Sequence, residues 1–143
     1  MTLATLFGLS SLLVLPFWLL MILVPGWRWT ERVIASPLVV VPAALLYALL
    51  VLPEIGVILP MVLSPDLKTV AGFLATEVGA TIAWVHFLAF DLFVGRWAYL
   101  DSCSRKLSPL LMAPILFATL MMGPIGLLLY FAVRNLRTNI FSN

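Results

Sequence analysis

A chain of 143 residues that is 64% hydrophobic and 10% charged cannot coat a water-soluble globule, where about 25% of residues carry charge; bilayer is its natural solvent. A net charge of +2, with scattered basic residues and no stripe alternating with aromatics, argues against nucleic acid as a partner. The lone Cys103 excludes an intrachain disulfide and a thiolate zinc site.

The first predicted element covers residues 3–25. It lacks the basic n-region and small-residue cleavage site of a signal peptide, so it is expected to stay as a membrane helix. No Arg/Ser-rich transit segment precedes it, as in a bacterial protein or a mature organellar one. Three more segments, 38–59, 72–95 and 109–133, reach the roughly 20 apolar residues that cross hydrocarbon. Backbone groups in lipid need internal partners, so all four should be helices. Short loops predict an all-α polytopic membrane protein, a single four-helix transmembrane domain over residues 1–143.

The loop after the first span reads "PGWRWTERVIASP", Pro25 to Pro37, and the loop after the third reads "VGRWAYLDSCSRKLSP", Val94 to Pro109. Each holds a Gly-Arg-Trp cluster and ends in Ser-Pro. "SPLVVVP" from Ser36 matches "SPLLMAP" from Ser108, and "PEIGVIL" from Pro53 parallels "PIGLLLY" from Pro124. A duplicated helical hairpin is the inference. It puts the matching loops on one face with Arg28, Arg32, Arg96, Arg105 and Lys106, and leaves Lys68, Arg134 and Arg137 on the other. The basic excess assigns the matching loops to the cytoplasmic or equivalent side. Trp27, Trp29, Trp97 and Tyr99 are expected as interfacial anchors. Pro37 and Pro109 suit helix starts. Pro16, Pro42, Pro53, Pro114 and Pro124 invite kinks, and "GPIG" at Gly123 to Gly126 is a candidate cleft opening.

The third span carries the only histidine, His86, and Asp91. Counting 1.5 Å per residue from the loop ends places Asp91 about 7–8 Å inside and His86 about 15 Å inside. The same count on the other spans reaches Trp18, Tyr47 and Thr119. A charge in a span costs at least about 2.5–3.5 kcal/mol and must face protein or a wet cavity. At 100° per residue, Asp91 shares a face with Glu77 and Trp84, whereas His86 and Arg96 each lie about 140° away. His86 and Asp91 are therefore not a local hydrogen-bonded pair in a regular helix. Each is read either as an interhelical tie or as a catalytic group. Glu77 and Glu54 are read as snorkelling to the far interface, and Arg96, Arg105, Lys106, Arg134 and Arg137 as interface anchors. Trp18, Tyr47, Trp84 and Thr119 either pack or line a site. One histidine with dispersed carboxylates gives no metal site.

The stretch "HFLAFDLFVGRWAYLDS", followed by "SPLLMAPILFATLMMGPIGLLLY", resembles the neoxanthin-synthase-like family, named for a plant mutant deficient in abscisic acid. The likeness is strong from His86 to Arg134 and includes Phe90, Asp91, Gly95, Arg96, Trp97, Asp101, Gly123, Pro124 and Gly126. It implies an integral protein of a cytoplasmic or thylakoid membrane in a photosynthetic cell, and a role in xanthophyll metabolism. The family's plant members are implicated in turning violaxanthin into neoxanthin, an isomerisation of an epoxide into an allene and a tertiary alcohol. That chemistry needs a general acid and a base, assigned to Asp91 and His86 in either order, and requires no redox cofactor. Trp18, Tyr47, Trp84, Phe90 and Thr119 are expected to line a carotenoid groove. Glu77, Arg96, Trp97, Asp101, Gly123, Pro124 and Gly126 are expected to anchor or shape the fold. The alternative is a non-enzymatic protein that binds a carotenoid or another elongated lipid and supports assembly, with a membrane partner or a second copy of itself. A small transporter fits less well, because the polar residues form no continuous line.

Overall fold

The computed structural model describes residues 2–140, with side chains as far as residue 136. Among the described residues it is all helix and turn, with no strand. Four helical segments are long and apolar enough to cross a membrane, as the sequence predicts.

Thr2 starts α1 (Leu3–Leu23) by accepting the Thr5 N–H at 3.3 Å. After Pro25 and Gly26 comes α2 (Arg28–Ala35), a short amphipathic helix. Its Thr30 and Ile34 are buried, while Arg28, Glu31 and Arg32 face out. The Thr30 hydroxyl donates to the Val24 carbonyl at 2.8 Å and so ties α2 to the end of α1. Ser36 accepts the Leu38 N–H at 3.3 Å and opens a 3₁₀ turn, Pro37–Val39. The second span follows as α3 (Val41–Val51), a 3₁₀ turn at Leu52–Glu54 where Pro53 interrupts the helix, and α4 (Ile55–Leu63).

The third apolar segment divides differently from the predicted 72–95. Asp66 caps α5 (Leu67–Leu74), which ends before Thr76 caps α6 (Glu77–Ser104) through the Gly79 N–H at 3.0 Å. A Cβ on Gly79 would strike the Phe73 carbonyl, so this turn needs glycine there. No breaker lies between Arg96 and Ser104, and the stretch read as a loop is helix. It stops at Lys106, whose φ is +54°. The Leu107 N–H donates to the Ser102 carbonyl and the Lys106 N–H to the Cys103 carbonyl, both at 3.0 Å, the paired bonds of a left-handed helix cap.

α1, α2, α3, α5 and α7 all pack on α6. α1 runs parallel to it: Phe7 stacks on Trp84 at 5.4 Å, Trp18 lies against Gly95, and Tyr99 donates to the Pro25 carbonyl at 2.7 Å. α3 and α4 run antiparallel, with Ala44 near Ala89 and Phe90, Tyr47 on His86, and Ile58 and Met61 near Gly79 and Ile82. The buried core includes Val14, Trp18, Met21, Leu92, Tyr99, Leu116 and Tyr130. Leu12, Leu49, Leu63 and Leu128 are more than half exposed, which suits lipid.

The last helix, α7 (Pro109–Ile140), is not a straight rod. Met122 has φ −146° and ψ 50°, and a Cβ on Gly126 would collide with the backbone and hydroxyl of Thr119. Residues seven apart lie about 10 Å apart in a straight helix, so the chain reverses here. Residues 109–121 descend along α6 to the level of Asp91, where Gly123 meets its carboxylate. The following residues climb back: Tyr130 packs on Trp97 at 5.4 Å and bonds Asp101, and Arg134 pairs with Asp101 at 3.3 Å. The sequence reading placed Arg134 on the far face; it sits on the face of α2. That face then holds Arg28, Arg32, Arg96, Arg105, Lys106 and Arg134, against Lys68 on the α5 side, which sharpens the basic bias that sets orientation. The Arg137 side chain lies outside the described residues.

The two hairpins match in part. Both second arms open on Ser-Pro and break near a later proline. The first passes its break and continues; the second turns back. The first Gly-Arg-Trp cluster feeds a separate interfacial helix, while the second lies inside α6.

Candidate functional site

The reversal in α7 creates the most polar place inside the apolar belt. Pro124 has no N–H, so the Leu120 carbonyl loses its partner four residues on. The break at Met122 also ends one helical run and begins another, and the terminal N–H and C=O groups of a run have no partners within it. Within a membrane such backbone is tolerated only where it is buried in protein or lines a cavity. Here it does both. Gly123 sits against the Asp91 carboxylate so closely that any side chain would collide with it, and the bend forms one wall of a cleft of about 630 Å³.

The opposite wall is α6. Trp84, His86, Phe87, Phe90 and Asp91 line the cleft, facing Leu120, Met122 and Pro124 of the bend. Trp84, Phe87 and Phe90 are 39%, 57% and 59% exposed. The His86 ring lies between Tyr47 and Phe90, with centroids at 5.3 and 4.6 Å, and meets Phe87 edge-on at 6.2 Å. His86 and Asp91 do not need to touch to share this cleft. It wraps around the aromatic side of α6, and so spans the angle that separates them on the helix.

The other candidate residues fall into separate groups. Trp84 spans toward α1, donating from its indole N–H to the Ser11 hydroxyl at 3.3 Å. Tyr47 reaches the site only through His86. Trp18 is turned into the core against Gly95, and Thr119 is fully buried with its hydroxyl donating to the Ile115 carbonyl at 2.9 Å. Neither lines the cleft. Equal depth brought them into the sequence reading, but depth does not fix the direction in which a side chain points.

Glu77 lies in the first turn of α6 at the α5 face. Arg96 proves to be a helix cap as well as an anchor. Its Nε donates to the Ile34 carbonyl at 2.7 Å and its Nη2 to the Ala35 carbonyl at 2.5 Å, where a cation also complements the C-terminal dipole of α2. The twenty residues from Glu77 to Arg96 span about 30 Å, the thickness of the hydrocarbon. Beyond Arg96, Asp101 gathers Arg105 at 2.7 Å, Tyr130 at 2.5 Å and Arg134 at 3.3 Å on one carboxylate. Trp97 lies under Arg134, 5.6 Å from ring to guanidinium. This cluster clamps the returning arm of α7 to α6. Gly123, Pro124 and Gly126 form the bend itself. Sequence reasoning missed Tyr130 and Phe87; the Gly-Pro pair inside an apolar run was the one signal for the reversal. Among the described residues no cluster of His, Cys, Asp or Glu could hold a metal ion.

Comparison with known proteins bears on the same segment. The pattern of the ABA DEFICIENT 4-like family matches residues 5–130. The chain is 24% identical, over 142 residues, to Protein ABA DEFICIENT 4, chloroplastic, of Arabidopsis thaliana. The match covers 95% of this chain and 63% of that protein's length. No solved structure matches.

Proposed function

The chain belongs to the ABA DEFICIENT 4-like family, and from that premise we propose that it binds an elongated carotenoid-type lipid in the α6–α7 cleft and isomerises an epoxide on it. The observation that carries this reading is that a carboxyl and an imidazole line one apolar, aromatic-walled cleft beside a broken helix. In the reaction a C–O bond of the epoxide breaks and its oxygen takes a proton from the acid. A C–H bond on the adjacent polyene carbon gives its proton to the base, and the electron pair closes the allene. Oxidation state is unchanged, so no redox cofactor is called for. Asp91, whose carboxylate lies against Gly123 where α7 is broken, serves as the acid. His86, nearer the aromatic run, serves as the base. General acid–base assistance of this kind contributes about 10²–10⁴-fold.

A second reading has its own support. No hydrogen bond reaches the His86 imidazole among the described residues, and its ring contacts are those of a packed aromatic. On that reading the protein is a carotenoid-binding or assembly factor, and His86 is part of the wall.

The test is pigment analysis of a host that makes the epoxide, with and without this chain and with Asp91→Asn or His86→Phe. Product that depends on the chain and on both residues supports the isomerase. Bound, unchanged pigment in purified protein supports the binder. Neither product nor bound pigment sinks both.

A further inference from the structure

A second cavity of about 190 Å³ lies on the other side of His86, among α4, α5 and α6. It shares His86 and Phe87 with the cleft at the bend, so the two are chambers on either side of one aromatic partition. The far chamber is walled by Ile58, Val62, Phe73 and Ala83, and so has no charged group. From Asp91 down to Gly79, the level at which Phe73 packs, is 12 residues of rise, about 18 Å. Two features set its shape. The turn at Gly79 brings Phe73 in as a floor. The exposed rings of Phe87 and Phe90 make the rim.

Resting on the proposed function, we infer that the two chambers form one extended binding groove for a single long, rigid, apolar chain. Its polar end ring lies at Asp91 and the bend, and its chain crosses Phe87 into the far chamber. The far chamber then measures chain length, and Ala83 and Val62 are specificity-determining positions remote from the acid–base pair. Aromatic walls suit an extended conjugated chain, whose π-faces stack without costly ordering of a flexible ligand.

The experiment uses the full chain in detergent micelles with two probes. One is a C40 xanthophyll carrying a 5,6-epoxide. The other is a chain-cleaved analogue with the same epoxide ring and about half the polyene. Binding is read as pigment retained after size exclusion, for wild type, Val62→Trp and Ala83→Phe. Val62 is 64% exposed, so its tryptophan variant should fold even if the Ala83 variant does not. Wild type is expected to bind the long probe at least about tenfold more tightly. Both variants should lose that advantage while holding the short probe as wild type does. Unchanged preference for the long probe in Val62→Trp, or parallel loss of both probes, overturns the far subsite and leaves the proposed function standing. Retention of neither probe by wild type overturns both.

Discussion

Tyr130 donates a hydrogen bond of 2.5 Å to Asp101, although Asp101 lies near the end of α6 that adjoins the start of α7. In a straight α7, residue 130 would lie about 31 Å beyond Pro109, at the opposite face. The bond therefore reports the topology directly: α7 runs down along α6, breaks at Met122 and returns beside it. The chain from Gly123 onward lies alongside α6 and parallel to it.

That topology predicts sidedness. In a Cys103→Ser background, Ser104→Cys and Asn135→Cys should react with a membrane-impermeant maleimide from the same side, and Lys68→Cys from the other. The basic bias assigns the first pair to the cytoplasmic or stromal-type side. Labelling of Asn135→Cys together with Lys68→Cys would sink the returning arm.

The clamp should be measurable as stability. Tyr130→Phe removes a hydrogen bond to a charged acceptor, worth about 1.5–3 kcal/mol. Asp101→Asn removes the charge shared by Arg105, Arg134 and Tyr130 and should cost more. Thermal unfolding in detergent should fall in that order. The double variant should cost less than the sum, because both changes act on one carboxylate.

At the bend, Gly126 and Gly123 are required for different reasons. A methyl group at Gly126 meets the Thr119 backbone, which cannot yield, whereas one at Gly123 meets a carboxylate that can swing. Overpacking typically costs about 1–3 kcal/mol, so Gly126→Ala should be the more damaging. Gly123→Ala should cost less when combined with Asp91→Ala, since the colliding group is gone. Additive effects in that pair would show that Gly123 and Asp91 do not meet.

Outside the membrane, Asp66 caps α5. The Thr69 backbone N–H at 3.0 Å and the Thr69 hydroxyl at 3.1 Å hold its carboxyl below the ordinary 3.8. A depressed carboxyl stabilises above its unfolded value and loses that stabilisation as pH falls through the folded one. Amide exchange at Thr69 should therefore stay protected near neutrality and rise below pH 3.8 relative to residues in mid-α6. Asp66→Ala should show the raised exchange at every pH.

Much of this was legible in the residues, and the failures have physical causes. Length and hydropathy were enough for an all-helical membrane protein, because a bilayer leaves few other choices. His86, Asp91, Trp84 and Phe90 do line one cleft. Trp18 and Thr119 went astray because rise per residue gives depth and says nothing of the partner helix. The third helix was cut short because its polar end looked like a loop, yet Arg96, Tyr99 and Asp101 each find a partner that keeps the helix going. The reversal was hidden because a Gly-Pro pair signals a break without giving its angle. The angle is set by Gly126 meeting Thr119 and by the Asp101 clamp, contacts distant in sequence.

The last prediction separates proton transfer from packing at His86. Its ring is held between Tyr47 and Phe90, so His86→Ala removes both an imidazole and a wall, and loss of conversion in that variant is ambiguous. His86→Phe keeps a ring of similar size between the same neighbours and removes only the nitrogens. If the imidazole accepts the proton, His86→Phe should retain pigment as wild type does and lose conversion by about 10²-fold or more, while Phe90→Ala should weaken retention and leave conversion per bound pigment unchanged. Full conversion by His86→Phe would assign His86 to the wall alone and leave Asp91 as the one reacting side chain in the cleft.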